Sequence, residues 1–191
     1  MLIIGITGTI GAGKGTVVEY LIQKYGFQHF SVRAYLIHKI EKRGLEVNRD
    51  SMVFIGNELR EKYGAGFIAE ELYEQAKGLG KNGTPQNGGA IIESLRTVGE
   101  IQSLKAKGPF YLFAVDADPS LRYERITSRA NETDHISYPV FISNEEREMQ
   151  SDDPNKQNIR KCIALADHIF MNNGTMEELH QQVDEVMKKI S

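Results

Sequence analysis

A chain of 191 residues with 23 Lys plus Arg against 26 Asp plus Glu fits one domain with a sizeable core and a net charge of −3. That balance excludes the broad basic field that gathers polynucleotides or anionic membranes, so small molecules are the expected partners. Cys162, the only cysteine, excludes an internal disulfide and a multi-cysteine zinc site, and it reads as a small buried apolar residue in a reducing interior.

The start, MLIIGITG, shows neither a basic leader nor a long apolar stretch, and no later run approaches the roughly 18 apolar residues of a membrane span. A soluble, cytoplasmic protein is expected. Leu2 to Thr7 is an apolar, β-branched run that passes directly into glycines, as a buried parallel strand ending in a functional loop does, and it should be the central strand. From Gly15 to Tyr25, Val17, Val18, Leu21 and Ile22 recur at helical spacing, and Gly26 stands where the helix would end. Phe27 to Val32 reads as a second strand. Ala34–Arg43, Ser51–Tyr63 and Phe67–Lys77 read as helices. Gly78 to Gly89 is rich in Gly, Asn and Pro and marks a surface loop, after which Ala90–Glu93 is again a strand. Phe110–Val115 is the next strand and Ser120–Arg129 the next helix. Asn131 to Asn158 is polar, with Pro139, Pro154 and one helix around Ser143 to Gln150, and it has the character of a lid. Asn158–Ala166 as helix, His168–Met171 as strand and Thr175–Ile190 as amphipathic helix close the chain. Strands alternating with helices predict an α/β fold, with a central parallel sheet in a three-layer α/β/α arrangement. A single unit over 1–191 is expected, with a helical acceptor-binding region at 33–89 and a lid-like insertion at 130–158.

The segment Gly8-Thr9-Ile10-Gly11-Ala12-Gly13-Lys14-Gly15-Thr16 fits GxxxxGK followed by Gly-Thr, between a strand and a helix as that motif requires. Glycines let backbone N–H groups turn inward around phosphate oxygens, the helix N-terminus adds partial positive charge, and Lys14 supplies a point charge to the β and γ phosphates. The Thr16 hydroxyl is expected to help hold Mg²⁺, with Gly15 allowing close backbone approach.

The Gly-Lys-Gly-Thr ending resembles the phosphate loop of adenylate kinase and other nucleoside monophosphate kinases. Three further segments resemble that family in its order: HFSVR at 29–33, IIESLRT at 91–97 and YERITSR at 123–129. The closing stretch from Ala166-Asp167 through Asn173-Gly174-Thr175 is similar to that of dephospho-coenzyme A kinases. SVR, NRDSM, ESLRT, FAVDADP and SDDPNKQN together resemble the kinase-like domains often fused ahead of a deoxycytidylate deaminase. The deaminase itself is absent, since no H-x-E is paired with P-C-x-x-C. The resemblance implies the P-loop nucleoside triphosphate hydrolase fold, ATP and Mg²⁺ as cofactors, and a possible functional link to a deaminase.

Phosphoryl transfer depends on cations placed around the moving group. Arg125 and Arg129, four residues apart, share a helix face with Arg122 one turn earlier. The resemblance implies that Arg125 covers the adenine and that Arg129 meets phosphate. Arg96, just past a strand's carboxyl end, is the leading acceptor-phosphate ligand. Glu93 at the same strand end is expected to bind Mg²⁺ through water or to orient the acceptor. Arg33 and Arg60 are further acceptor candidates, each equally readable as a surface salt bridge. Arg147 and Arg160 could close on the triphosphate. Ala34 replaces the Asp usual after SVR in the fused domains, and none of the five histidines shows metal-ligand spacing. The leading expectation is an ATP-dependent kinase acting on a nucleoside or deoxynucleoside monophosphate, as monomer or homodimer. The alternatives are a dephospho-coenzyme A kinase and a silent nucleotide-binding regulatory domain.

Overall fold

The computed structural model describes residues 1–79, 89–129 and 136–190. Most of the expected surface loop at 78–89, the first residues of the expected lid and the side chains of Leu79 and Arg129 lie outside the described residues.

Five parallel strands, β1 (Ile3–Gly8), β2 (Gln28–Ser31), β3 (Ala90–Glu93), β4 (Phe110–Asp116) and β5 (His168–Met171), form a sheet in the order β2-β3-β1-β4-β5. The central place of β1 follows from its composition, because a strand paired on both edges and covered on both faces must be apolar throughout, and all of its residues are buried. The chain leaves β1 for β2 and β3 on one side of it and then crosses to β4 and β5 on the other. The carboxyl ends of β3, β1 and β4 therefore flank a topological switch point, where open α/β sheets bind their ligands.

Side chains alternate between the sheet's faces with period two. Ile4, Ile6, Ile91, Phe113 and Val115 share one core with α1 (Lys14–Tyr25) and α9 (Met176–Ile190), through Val17, Leu21, Leu179 and Val183. Ile3, Ile92 and Leu112 face the opposite core. That core is built with α2 (Val32–Lys42), α3 (Arg49–Tyr63), α4 (Phe67–Leu79), α5 (Val98–Lys105) and α8 (Ile159–Ala164). Each fully buried Ile, Leu or Phe contributes about 1.5–3 kcal/mol. Phe113 meets Phe170 edge-on, with centroids 5.2 Å apart. Two further helices, α6 (Pro119–Arg129) and α7 (Tyr138–Met149), contact the loops beyond the strand ends.

Two elements differ from the sequence expectation by more than two residues at an end. Helix α5 was not foreseen; Thr97 caps it by accepting from the Glu100 N–H, and Glu100 returns a bond to the Thr97 N–H at 3.1 Å. Helix α7 starts at Tyr138, five residues before the expected Ser143, because Pro139 sits in its first turn, where a missing N–H is harmless.

Cys162 is fully buried, and burial together with the Glu100 charge pushes its thiol up to about 12. The thiolate is the reactive form. Iodoacetamide is therefore expected to leave the folded protein unlabelled over a period in which denatured protein reacts completely; mass spectrometry showing comparable labelling of both would contradict this.

No helix among the described residues is long and apolar enough to cross a membrane.

Candidate functional site

The loop between β1 and α1 takes its shape from contacts beneath it. Gly13 lies at φ 96°, in the left-handed region, and a Cβ there would strike the Asn172 amide. Gly8 lies at φ 133°, and a Cβ would strike the Val115 carbonyl oxygen. Asn172, just past β5, donates to the buried Ala12 carbonyl at 2.9 Å, and its own N–H donates to the Asp116 carbonyl at 2.8 Å. The Thr9 hydroxyl donates to Asp116 Oδ1 at 2.6 Å. Three strand ends are thereby tied to one loop.

Helix α1 begins with no side-chain cap and no acidic residue in its first turn, so no side chain competes for the loop's anion-binding character. Lys14 folds back across the loop and donates to the Gly8 carbonyl at 3.1 Å and the Thr9 carbonyl at 2.7 Å. Gly11 lies within the loop, Gly15 is exposed in the first helical turn and Thr16 is half-buried beside it.

Lys14 also lines a cavity of about 170 Å³, together with Arg33, Arg49, Arg60, Glu93, Arg96 and Glu148 and the apolar side chains of Val32, Leu36, Met52 and Val53. Four sequence candidates, Arg33, Arg60, Glu93 and Arg96, thus meet in one place, supplied by α2, α3 and the end of β3.

Their partners differ. Among the described residues, Arg33 Nη1 bonds only the Met52 sulfur, at 3.6 Å. Arg60 is fully buried and gives Nε and Nη2 to Glu100 Oε1 at 3.2 and 2.9 Å, so its salt bridge lies in the core and not on the surface. Arg96 binds Glu148 and Gln157 Oε1, the latter at 3.0 Å, and its N–H donates to Glu100 Oε2 at 2.8 Å. Ser94, beside it, holds φ 71°, a strained conformation for a non-glycine residue at the turn that leads into Arg96. Burial pushes the Glu93 carboxyl up, but the bond from His29 at 2.9 Å and the charges of Lys14 and Arg96 hold it below its ordinary value.

Arg122 and Arg125 of α6 do not share a patch. Arg122 is buried under the loop, donating to the Ala117 carbonyl at 2.7 Å, to the Ile10 carbonyl at 3.3 Å and to Glu145. Arg125 instead lines a shallow cleft with Leu121, Glu124 and Ser128, and its Nη1 is buried without a hydrogen-bond partner. The Arg129 side chain lies outside the described residues. In the lid-like region, Arg147 pairs with Asp50 at 3.0 Å and Arg160 with Gln150 at 3.3 Å, so neither reaches the cavity by these bonds.

Sequence reading missed Arg49, Asp116, Glu145, Glu148 and Asn172. Asp116 had a signal, since it ends a strand beside the central one; the others depend on contacts between distant segments.

The strand order, the glycine loop and the lysine opening α1 define a three-layer α/β/α P-loop nucleoside triphosphatase fold. A family model described as AAA domain matches residues 4–151. The chain is 30% identical over 190 residues to the UPF0200 protein MJ1399 of Methanocaldococcus jannaschii, covering all of this chain and 91% of that one, and it belongs to the UPF0200 family. Among solved structures it is similar to TT1252 from Thermus thermophilus, with TM-score 0.60 and 19% identity over 100% of this chain and 98% of that one. It is also similar to the dephospho-CoA kinase from Campylobacter jejuni, with TM-score 0.51 and 16% identity over 99% of this chain and 97% of that one. At these identities the likeness is one of fold, and the fold is that of P-loop kinases.

Proposed function

We propose that this protein is an ATP-dependent phosphotransferase that moves the γ-phosphoryl group of ATP to a small phosphate-bearing acceptor, a nucleoside or deoxynucleoside monophosphate. The observation that carries this reading is a single cavity that joins Lys14 of the phosphate loop to Arg33, Arg49 and Arg96. A cation for the donor and cations for an anionic acceptor line one cavity, with apolar side chains on the α2–α3 side for the rest of the acceptor.

In this reading the loop N–H groups and Lys14 hold the triphosphate, and Arg96 aligns the acceptor's phosphate. The bond from the γ-phosphorus to ADP then breaks as a bond to an acceptor phosphate oxygen forms. Arg125, with its unmet Nη1, covers the base of ATP, and Arg129 meets phosphate from the end of α6. Thr16 and Glu93 supply the hard oxygen donors that suit Mg²⁺, which needs only one or two protein oxygens when phosphates complete its shell. When bound, that ion offsets charge on the β and γ phosphates.

Arg96→Ala is expected to raise the acceptor KM about tenfold to a hundredfold, the cost of one charge-assisted bond, while ATP affinity stays within about threefold. Steady-state kinetics with each substrate varied in turn would check it. An unchanged acceptor KM would remove Arg96 from the acceptor site.

A further inference from the structure

Helix α7 is fastened by carboxylates to arginines that the proposed reaction would need. Glu148, with a side chain only 7% exposed, accepts from Arg49 Nη2 through Oε1 at 2.5 Å and from Arg96 Nη1 through Oε2. One turn earlier, Glu145 holds Arg122 beneath the phosphate loop. One carboxylate thus faces two guanidinium groups inside a cavity that is also lined by Lys14, Arg33 and a second carboxylate, Glu93. Glu148 alone does not neutralise both guanidinium groups, and buried charge left uncompensated is costly. The hydrogen bonding is incomplete as well, because Arg49 Nε is buried without a partner. A carboxylate offers two oxygens and one charge. A phosphate monoester offers three oxygens and close to two charges.

We propose that Arg49 and Arg96 form the seat of the acceptor's phosphate group, and that the Glu148 carboxylate is the protein's own occupant of that seat, displaced when the acceptor binds. The inference rests on the phosphotransferase reading and deepens it by adding Arg49 to the acceptor site and giving Glu148 a role. Burial pushes the Glu148 carboxyl up, but Arg96 and Arg49 outweigh burial and hold it below its ordinary value, so the occupant stays ionised at neutral pH. With Glu148 seated, α7 stands against α3 and α6 and the arginines stay together before any ligand arrives. With phosphate seated, Glu148 must leave, and α7, also held through Arg147 to Asp50, has to shift with it. Acceptor binding and lid position are then one equilibrium.

The test is titration calorimetry of inorganic phosphate into the full chain, with the phosphate loop saturated by a non-hydrolysable ATP analogue so that phosphate reports the second seat alone. Glu148→Gln keeps the shape and removes the charge, and it is expected to bind phosphate at least about tenfold more tightly than the parent. Adding Arg49→Met is expected to abolish that gain. Glu148→Asp, which keeps the charge on a shorter stem, is expected to fall between parent and Glu148→Gln, and it serves if Glu148→Gln does not fold. Equal phosphate affinity in the parent and in the folded Glu148 variants overturns the proposal, as does a gain that survives Arg49→Met. A parent that binds no ATP analogue overturns the nucleotide reading instead; the same comparison in a Lys14→Ala background without analogue then still decides for or against the seat.

Discussion

Lys14→Ala is expected to lower acceptor-dependent ADP formation by at least about a hundredfold to a thousandfold, the scale on which loss of one preorganised charge-stabilising donor acts. The side chain stands at the first residue of α1 and donates to the Gly8 and Thr9 carbonyls of its own loop. Its removal leaves the framework in place: the Thr9 bond to Asp116, the Asn172 bond to the Ala12 carbonyl and the apolar packing of β1 do not involve it. The loss should therefore fall on turnover, with the thermal midpoint shifted by no more than about 3 °C, as expected for a change of under roughly 1 kcal/mol in a chain of this size. Kinetics and a thermal melt on the same preparation separate the two. Turnover within about threefold of the parent would mean that the loop does not hold a reacting phosphate.

Glu100→Gln is expected to destabilise the fold by about 3–5 kcal/mol, the usual consequence of leaving one partner of a buried ion pair uncompensated. Glu100 is fully buried. It accepts from Arg60 twice through Oε1, and through Oε2 from the N–H groups of Arg96 and Thr97. One carboxylate thus joins α3, the turn after β3 and the start of α5. An amide in its place offers one acceptor oxygen and leaves the Arg60 guanidinium charged in the core. Urea denaturation of the parent and Glu100→Gln would measure the difference; a loss under about 1 kcal/mol would show that water reaches this pair. Because the same carboxylate fixes the Arg96 backbone, Glu100→Gln should also disturb acceptor binding, although Glu100 touches no ligand in the proposed site. Arg60→Met combined with Glu100→Gln should recover part of the stability, since removing both charges is less harmful than removing one.

The parts of the fold that sequence revealed were those set by neighbouring residues. The bounds of β3 and β5 agree with the expected ones, because each is a short run between clear turn or charge signals. The order of strand, glycine loop and helix at residues 3–25 was legible for the same reason, as was the central place of β1. Helix α5 escaped notice although Thr97 and Glu100 have capping-box spacing: it is only eight residues long, contains Gly99, and shows just Val98, Ile101 and Leu104 as apolar side chains. The start of α7 was obscured because Pro139 reads as a loop marker unless the helix is already known to begin beside it.

At the site, the loop residues 8–16 and the strand-end pair Glu93 and Arg96 could be picked out because motif and position are local properties. What holds them is not local. Arg49 meets Glu148 across 99 positions of sequence and Arg96 meets it across 52. No spacing rule connects such residues, and only the fold shows that α7 brings its carboxylates to the arginines of three other segments. Arg60 and Arg122 show the same limit in reverse: sequence read Arg60 as an acceptor ligand or a surface salt bridge and Arg122 as part of a shared arginine patch, and the fold places both in the interior with carboxylate partners.

The most direct measurement of the central claim is ADP formation from ATP and Mg²⁺, assayed against a panel of ribo- and deoxynucleoside monophosphates with dephospho-coenzyme A included. One monophosphate is expected to stimulate ADP formation and to appear with one more phosphate, at a rate that Lys14→Ala removes. Tight ATP binding with no stimulation by any acceptor would contradict phosphoryl transfer and leave a domain that senses nucleotide without turning it over.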